Sequence, residues 1–163
     1  MAVLTQGPDL MALAYITRNL RARDREEVFA CWADGPDQLA AQTAAQGDFQ
    51  WVAWHKGRPV ASIGGRCLWP GVWSVWAFGT DDWPQVVLSM TRHVRRVMIP
   101  ALLETGAHRV ECCALATHTD ARRWLTALGA RDEGVRRGYG RDGQDFVTYA
   151  WSPEDVSAAR TQD

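Results

Sequence analysis

The spacing of apolar and polar positions changes several times along the chain, and each change marks an element. Leu10, Leu13, Ala14 and Ile16 follow Pro8 and Asp9 at helical spacing, which predicts a first helix. Asp24 reads as the N-cap of a second, with Glu26 and Glu27 in its first turn. Val28, Phe29 and Trp32 form its apolar stripe, Asp34-Gly35-Pro36 ends it, and Asp37 opens a short helix through Ala45. From Phe49 to His55 the residues turn aromatic and branched, as in a strand. Lys56-Gly57-Arg58-Pro59 reads as a turn, and Pro59 to Leu68 as the returning strand. Gly64-Gly65 within it predicts a bulge or a close backbone approach. Trp69-Pro70-Gly71 is the next turn. Val72 to Phe78 is apolar on both alternating faces, as in a strand covered on both sides.

Thr80-Asp81-Asp82 then reads as the cap of a long helix, with Pro84 near its first turn. Val87, Met90, Val94, Val97 and Ala101 recur at three- and four-residue spacing, and Pro100 is expected to kink or end this helix. Arg109 to Ala116 predicts another strand. Thr119 and Asp120 start a helix with Ala121, Trp124, Leu125 and Leu128 on its buried face and Gly129 at C′. A hairpin runs from Arg131 to Tyr139, turns through residues 140–143 and returns from Gln144 to Trp151. Strand, long helix, strand is a crossover, which favours parallel pairing. The expected fold is a single α/β domain over residues 1–151, with a polar tail at 152–163. Its mixed central sheet has about six to seven strands and helices on both faces.

Composition narrows the function. The chain has 163 residues, 47% hydrophobic and 23% charged, with a net charge of −1, which suits one globular domain with its own core and not a disordered chain. No apolar run is long enough to span a bilayer, and Met1 to Pro8 does not read as a signal peptide. A near-neutral charge argues against coating nucleic acid. Cys31, Cys67, Cys112 and Cys113 show no metal spacing and read as reduced thiols, with the core as their usual place. Lys56 is the one lysine. The nine tryptophans are more unusual. Those at 51, 54, 73, 76 and 151 fall on predicted strands and those at 32 and 124 on helix stripes, where core packing accounts for them. Trp69 and Trp83 fall in a turn and beside a loop, and are expected as exposed partner contacts.

The element order resembles the GNAT (N-acetyltransferase) fold, and HTDARRWLTALGA, His118 to Ala130, is similar to that family's late segment. A closer resemblance is to the GNAT-like internal virion protein A family of short-tailed phages. It rests on NLRARDREEVFA (Asn19 to Ala30), WVAWHKGRPVASIGG (Trp51 to Gly65), VWAFGT (Val75 to Thr80) and RRWLTALGA. It implies a virion-associated or assembly protein, partnered by other phage structural proteins, in the virion or the infected host cytoplasm.

Acetyl transfer from acetyl-CoA would need a pyrophosphate cradle at a helix N-terminus, a donor for the thioester oxygen, and groups to move protons. The family's glycine loop is replaced by Thr80-Asp81-Asp82-Trp83-Pro84-Gln85-Val86, with no glycine between Gly79 and Gly106. Pro84 removes a donor, and Asp81 and Asp82 put negative charge at the cradle. Leu125 stands where many members carry the proton-donating tyrosine, His118 where they often have asparagine, and Ala130 replaces a phenylalanine. Glu111 is a candidate base on its strand. His118 is the best placed of His55, His93, His108 and His118, which show no metal or triad spacing. Arg92, Arg95 and Arg96, and Arg122 and Arg123, read chiefly as solvated helix faces. No catalytic residue, metal or cofactor is therefore expected. If the chain is instead an active transferase, for a small amine or a protein amine, acetyl-CoA would meet Phe78, Gly79 and Thr80.

Overall fold

A computed structural model describes residues 2–155, so most of the expected tail at 152–163 lies outside the described residues. The strands are β1 (Val3–Gln6), β2 (Gln50–His55), β3 (Arg58–Trp69), β4 (Val72–Gly79), β5 (Arg109–Leu115), β6 (Arg131–Arg136) and β7 (Phe146–Trp151). The helices are α1 (Leu10–Arg18), α2 (Ala22–Cys31), α3 (Pro36–Ala44), α4 (Val87–His93), α5 (Ile99–Glu104) and α6 (Thr119–Ala127). The strands form a seven-stranded mixed sheet in the order β1-β2-β3-β4-β5-β7-β6, the α/β architecture expected. The crossover prediction holds. β4 and β5 are parallel, in register from Val72 opposite Arg109 to Ser74 opposite Glu111.

The expectations of a start for α1 after Pro8 and Asp9, a turn at Lys56-Gly57 and a close approach at Gly64 are met by clear geometry. Asp9 caps α1 by accepting the Ala12 N–H at 2.9 Å. Lys56 (φ +50°) and Gly57 (φ +73°) form the two-residue turn between β2 and β3, where two positive φ angles match the strand twist. At Gly64 the backbone approach is close. A Cβ there would stand 2.4 Å from Cζ2 of Trp76 and 2.8 Å from Cβ of Gln50.

Two elements differ from expectation. β1 was not anticipated. Its four residues pair antiparallel with β2, from Val3 opposite Trp54 to Gln6 opposite Trp51. The long helix after β4 is not one helix from Thr80. A 3-10 turn over Trp83–Gln85 precedes α4, and a π-helical segment, Val94–Met98, joins α4 to α5. Pro100 does not end it. The Ile99 N–H bonds Val94 O, five residues back, and this widened turn gives room ahead of a residue that has no N–H of its own.

The chain packs as two compact units, residues 2–66 with 75–92, and 67–74 with 93–155. In the first, Ile16, Leu39, Val52, Trp76 and Phe78 belong to one buried cluster. In the second, Val110, Leu115, Phe146, Tyr149 and Trp151 are buried, and Trp151 Nε1 donates to Leu128 O at 3.0 Å. Trp32 caps the C-terminus of α2 and is 38% exposed, so it is not the core residue expected. Cys67 is exposed, and Cys31, Cys112 and Cys113 are half-buried rather than in the core.

Candidate functional site: the end of β4

β4 delivers Phe78-Gly79-Thr80, the residues that could present backbone donors. Gly79 is required by crowding. A Cβ there would lie 2.8 Å from the Trp83 ring and 2.9 Å from Val60 O. Its polar groups are already bonded. The Gly79 N–H donates to Oδ2 of Asp24 at 2.7 Å, and Gly79 O accepts the Arg21 N–H at 3.0 Å. The Thr80 N–H donates to Val60 O at 2.8 Å, and Thr80 makes an isolated antiparallel bridge to Leu20.

Asp24 is therefore not the N-cap of α2. Arg21 holds that position without a side-chain cap, and Asp24 sits in the first turn, where a negative charge suits the helix dipole. Its carboxylate is 3% exposed. Oδ1 lies 2.9 Å from Nε of Arg21, an ion pair. The Arg21 guanidinium in turn lies 4.0 Å from the centroid of the Trp83 ring. A buried carboxylate is tolerated only with a charge partner and donors, and here it has both.

Trp83 is consequently buried, at 7% exposure, and the expectation of an exposed indole there is corrected. Its ring is the platform for Arg21 and the wall against Gly79. Trp69, at the end of β3, is 59% exposed.

The loop that follows does not offer an anion a row of donors. The N–H groups of Trp83, Gln85 and Val86 bond Thr80 O, Asp82 O and Trp83 O, closing the 3-10 turn. The Asp82 N–H lies 3.3 Å from Thr80 Oγ1. Asp82 also faces Arg58 at 3.7 Å. These residues do not fit a CoA pyrophosphate held by backbone donors in this loop.

Among solved structures, the chain is similar to the ribosomal-protein-S18-alanine N-acetyltransferase from Escherichia coli. The TM-score is 0.67 at 17% identity, covering 93% of this chain and 94% of that one. It is similar to Ard1 from Thermoplasma volcanium, with TM-score 0.72, 12% identity and coverage of 93% and 97%. It is also similar to a GNAT-family acetyltransferase from Bacillus anthracis, with TM-score 0.68, 14% identity and coverage of 94% and 95%.

The chain has the GNAT fold.

At these identities the likeness is one of fold. No protein-family model and no curated protein matches the sequence.

The remaining GNAT candidates lie around β5 and α6. Glu111 is tied to Arg109, whose Nε contacts it at 2.5 Å. The other end of the same guanidinium meets both carboxylate oxygens of Glu133, and that pairing holds the Glu133 carboxyl below its usual range. Glu111 is thus a member of an ionic ladder. His118 is 2% exposed, and its carbonyl accepts the Arg122 N–H at 3.1 Å, closing the first turn of α6. Arg122 reaches back, donating from Nε to the Tyr149 hydroxyl at 3.0 Å and from Nη1 to Ala116 O at 3.1 Å. Arg95 donates to Ala127 O at the end of α6, while Arg92, Arg96 and Arg123 are exposed. The solvated-face reading thus holds for three of the five arginines. Leu125 is buried. Burial lowers the pKa of His93. Among the described residues, no group of three or more His, Cys, Asp or Glu is placed to hold a metal ion. No helix of the described residues is long and apolar enough to cross a membrane.

The role of Asp24 was missed in the sequence because its partner, Gly79, lies 55 residues away.

Proposed function

We propose that this GNAT-fold chain does not transfer acetyl groups and works by docking. In this reading it is a virion-associated or assembly protein of a phage that binds other phage structural proteins. The supporting observation is the buried Asp24 carboxylate on the Gly79 N–H. A group of the protein itself takes the donor that a thioester oxygen would use, and Trp83 with Arg21 covers it. Trp69 is the docking residue in this reading, since it offers a large exposed indole. The phage assignment rests on the resemblance of Asn19 to Ala30 and Trp51 to Gly65 to the internal virion protein family. Isothermal titration with acetyl-CoA tests the loss of cofactor binding. No heat of binding at micromolar protein is expected, and micromolar affinity overturns the reading.

A second reading is an acetyl-CoA-dependent transferase acting on a small amine or a protein amine. It is favoured by the acetyltransferases among the solved structures of the same fold. A thiol-release assay over a panel of amines separates the two readings, and steady turnover on any of them establishes the transferase.

A further inference from the structure

The β6–β7 hairpin closes through Arg136-Arg137-Gly138-Tyr139-Gly140-Arg141-Asp142-Gly143, an aromatic residue set between arginines. Tyr139 is 47% exposed, and Arg137 and Arg141 are exposed as well. The Arg136 guanidinium carbon lies 5.0 Å from the centroid of the Tyr139 ring, and Arg136 Nε donates to Thr148 Oγ1 at 2.8 Å. The Tyr139 ring meets buried Phe146 at 68°, with centroids 5.4 Å apart. Ring and guanidinium are thus both anchored on β7. The loop backbone is fixed too. The Gly138 N–H donates to Asp145 Oδ1 at 2.8 Å, the Gly140 N–H to Gln144 O at 2.9 Å, and the Gly143 N–H to Gly140 O at 2.9 Å. Both chain neighbours of Tyr139 are glycine, so neither puts a side chain beside its ring. Arg136, Arg137 and Arg141 outnumber Asp142 and Asp145, and the Asp145 carboxylate is engaged by the Gly138 N–H. Arg137 and Arg141 each stand two residues from Tyr139, within about 7 Å along the chain. A pre-ordered aromatic–guanidinium pair flanked by cations suits a flat base and the phosphates on either side of it.

We propose that this loop binds single-stranded nucleic acid, with an unpaired base stacked on the Tyr139–Arg136 pair and the neighbouring phosphates met by Arg137 and Arg141. The pairing of ring and cations selects this occupant. An acidic peptide would use the arginines and leave the exposed ring idle, whereas a nucleotide uses both. A duplex keeps its bases stacked on each other and offers the ring nothing. A net charge of −1 opposes coating of nucleic acid by the whole surface, but a site of this size needs only the loop's own cations. The inference does not depend on whether acetyl-CoA binds at the end of β4.

Fluorescence anisotropy of a labelled single-stranded DNA of about twelve nucleotides, titrated with the full chain at low salt, tests it. Micromolar binding is expected, weakening as salt rises. Tyr139→Ala should raise the dissociation constant at least about fivefold, and Tyr139→Phe, which keeps the ring, should leave it where it was. Arg137→Ala should lessen the slope of log affinity against log salt by about 0.7. Arg96→Ala removes an exposed arginine from another element and should change neither quantity. Circular dichroism checks that each variant stays folded. No binding at low salt overturns the proposal, as does binding that neither Tyr139→Ala nor Arg137→Ala weakens more than Arg96→Ala. Competition by a duplex of the same length, or by polyglutamate, as strong as that by the unlabelled strand also overturns it.

Discussion

The strand-to-helix junctions after β4 and after β5 are built in different ways. At the end of β4 the backbone is satisfied by a buried ion pair, roofed by an indole, and a 3-10 turn takes up the N–H groups of Trp83, Gln85 and Val86. At the end of β5 the backbone is satisfied from a half-exposed arginine on the next helix, which binds Ala116 O and the Tyr149 hydroxyl. The first junction is dry and closed. The second is wet, and its charge is shared between Arg122 and Asp132. The same structural task, finding partners for polar groups at a strand end, thus leaves one end sealed and the other at the solvent boundary.

The contrast breaks most directly at Asp24. Asp24→Ala leaves the Gly79 N–H without its acceptor and Arg21 without its counter-charge. The expected loss is about 3–5 kcal/mol, typical of breaking a buried pair from one side. Asp24→Asn keeps an acceptor and should cost less. Urea unfolding measures both, and a near-neutral Asp24→Ala would mean that the end of β4 is not sealed by this carboxylate. Gly79→Ala comes next. Its Cβ meets the Trp83 ring and Val60 O, so overpacking of about 1–3 kcal/mol is expected, with a change in tryptophan emission. Arg122→Ala, at the wet junction, should cost less than Asp24→Ala, about 1–2 kcal/mol for its hydrogen bonds. If the two arginine-linked junctions responded equally, the distinction between dry and wet would be lost.

Acid gives the smallest effect and should act on the second unit. Arg109 holds Glu133 below its ordinary 4.5. For Asp155, burial alone would raise the pKa. Ser152, through its N–H and hydroxyl, and Arg131 outweigh it and bring the carboxyl below 3.8. An acid with a lower pKa in the folded state stabilises above its unfolded value and loses that contribution as pH falls through the folded one. His93, lowered from 6.5 by burial, has the same sign, because the unfolded chain takes up its proton first. The urea midpoint should therefore drift down below about pH 6.5 and fall further below about pH 4.5. Glu133→Gln should flatten the lower part, and because Glu133 is 40% exposed, added salt should shrink it too.

Most elements were legible where the signal is local. The start of α1 after Asp9, the Lys56-Gly57 turn and Gly129 at φ +88° after α6 each follow from residues within a few positions. The parallel pairing of β4 and β5 followed from a connection rule rather than from any residue. β1 escaped because four residues show no period, and its pairing with β2 is what makes it a strand. Asp24 misled for a related reason. An acidic residue ahead of an apolar run has the signature of a cap, while its actual partner is set by tertiary packing. Trp83 was read as exposed because a loop position carries no sign of the guanidinium above it. The candidate site was thus legible in what it lacks, a glycine loop and a tyrosine, and illegible in what fills it.

The hairpin turn between β2 and β3 has a practical consequence. Lys56 stands exposed at its tip, held in a left-handed backbone conformation, and no other lysine occurs in the chain. Apart from the terminal amine, an amine-reactive dye has one address on this protein. A fluorophore there would report on the β2–β3 hairpin by energy transfer from neighbouring indoles, without an engineered cysteine and without disturbing the four thiols already present.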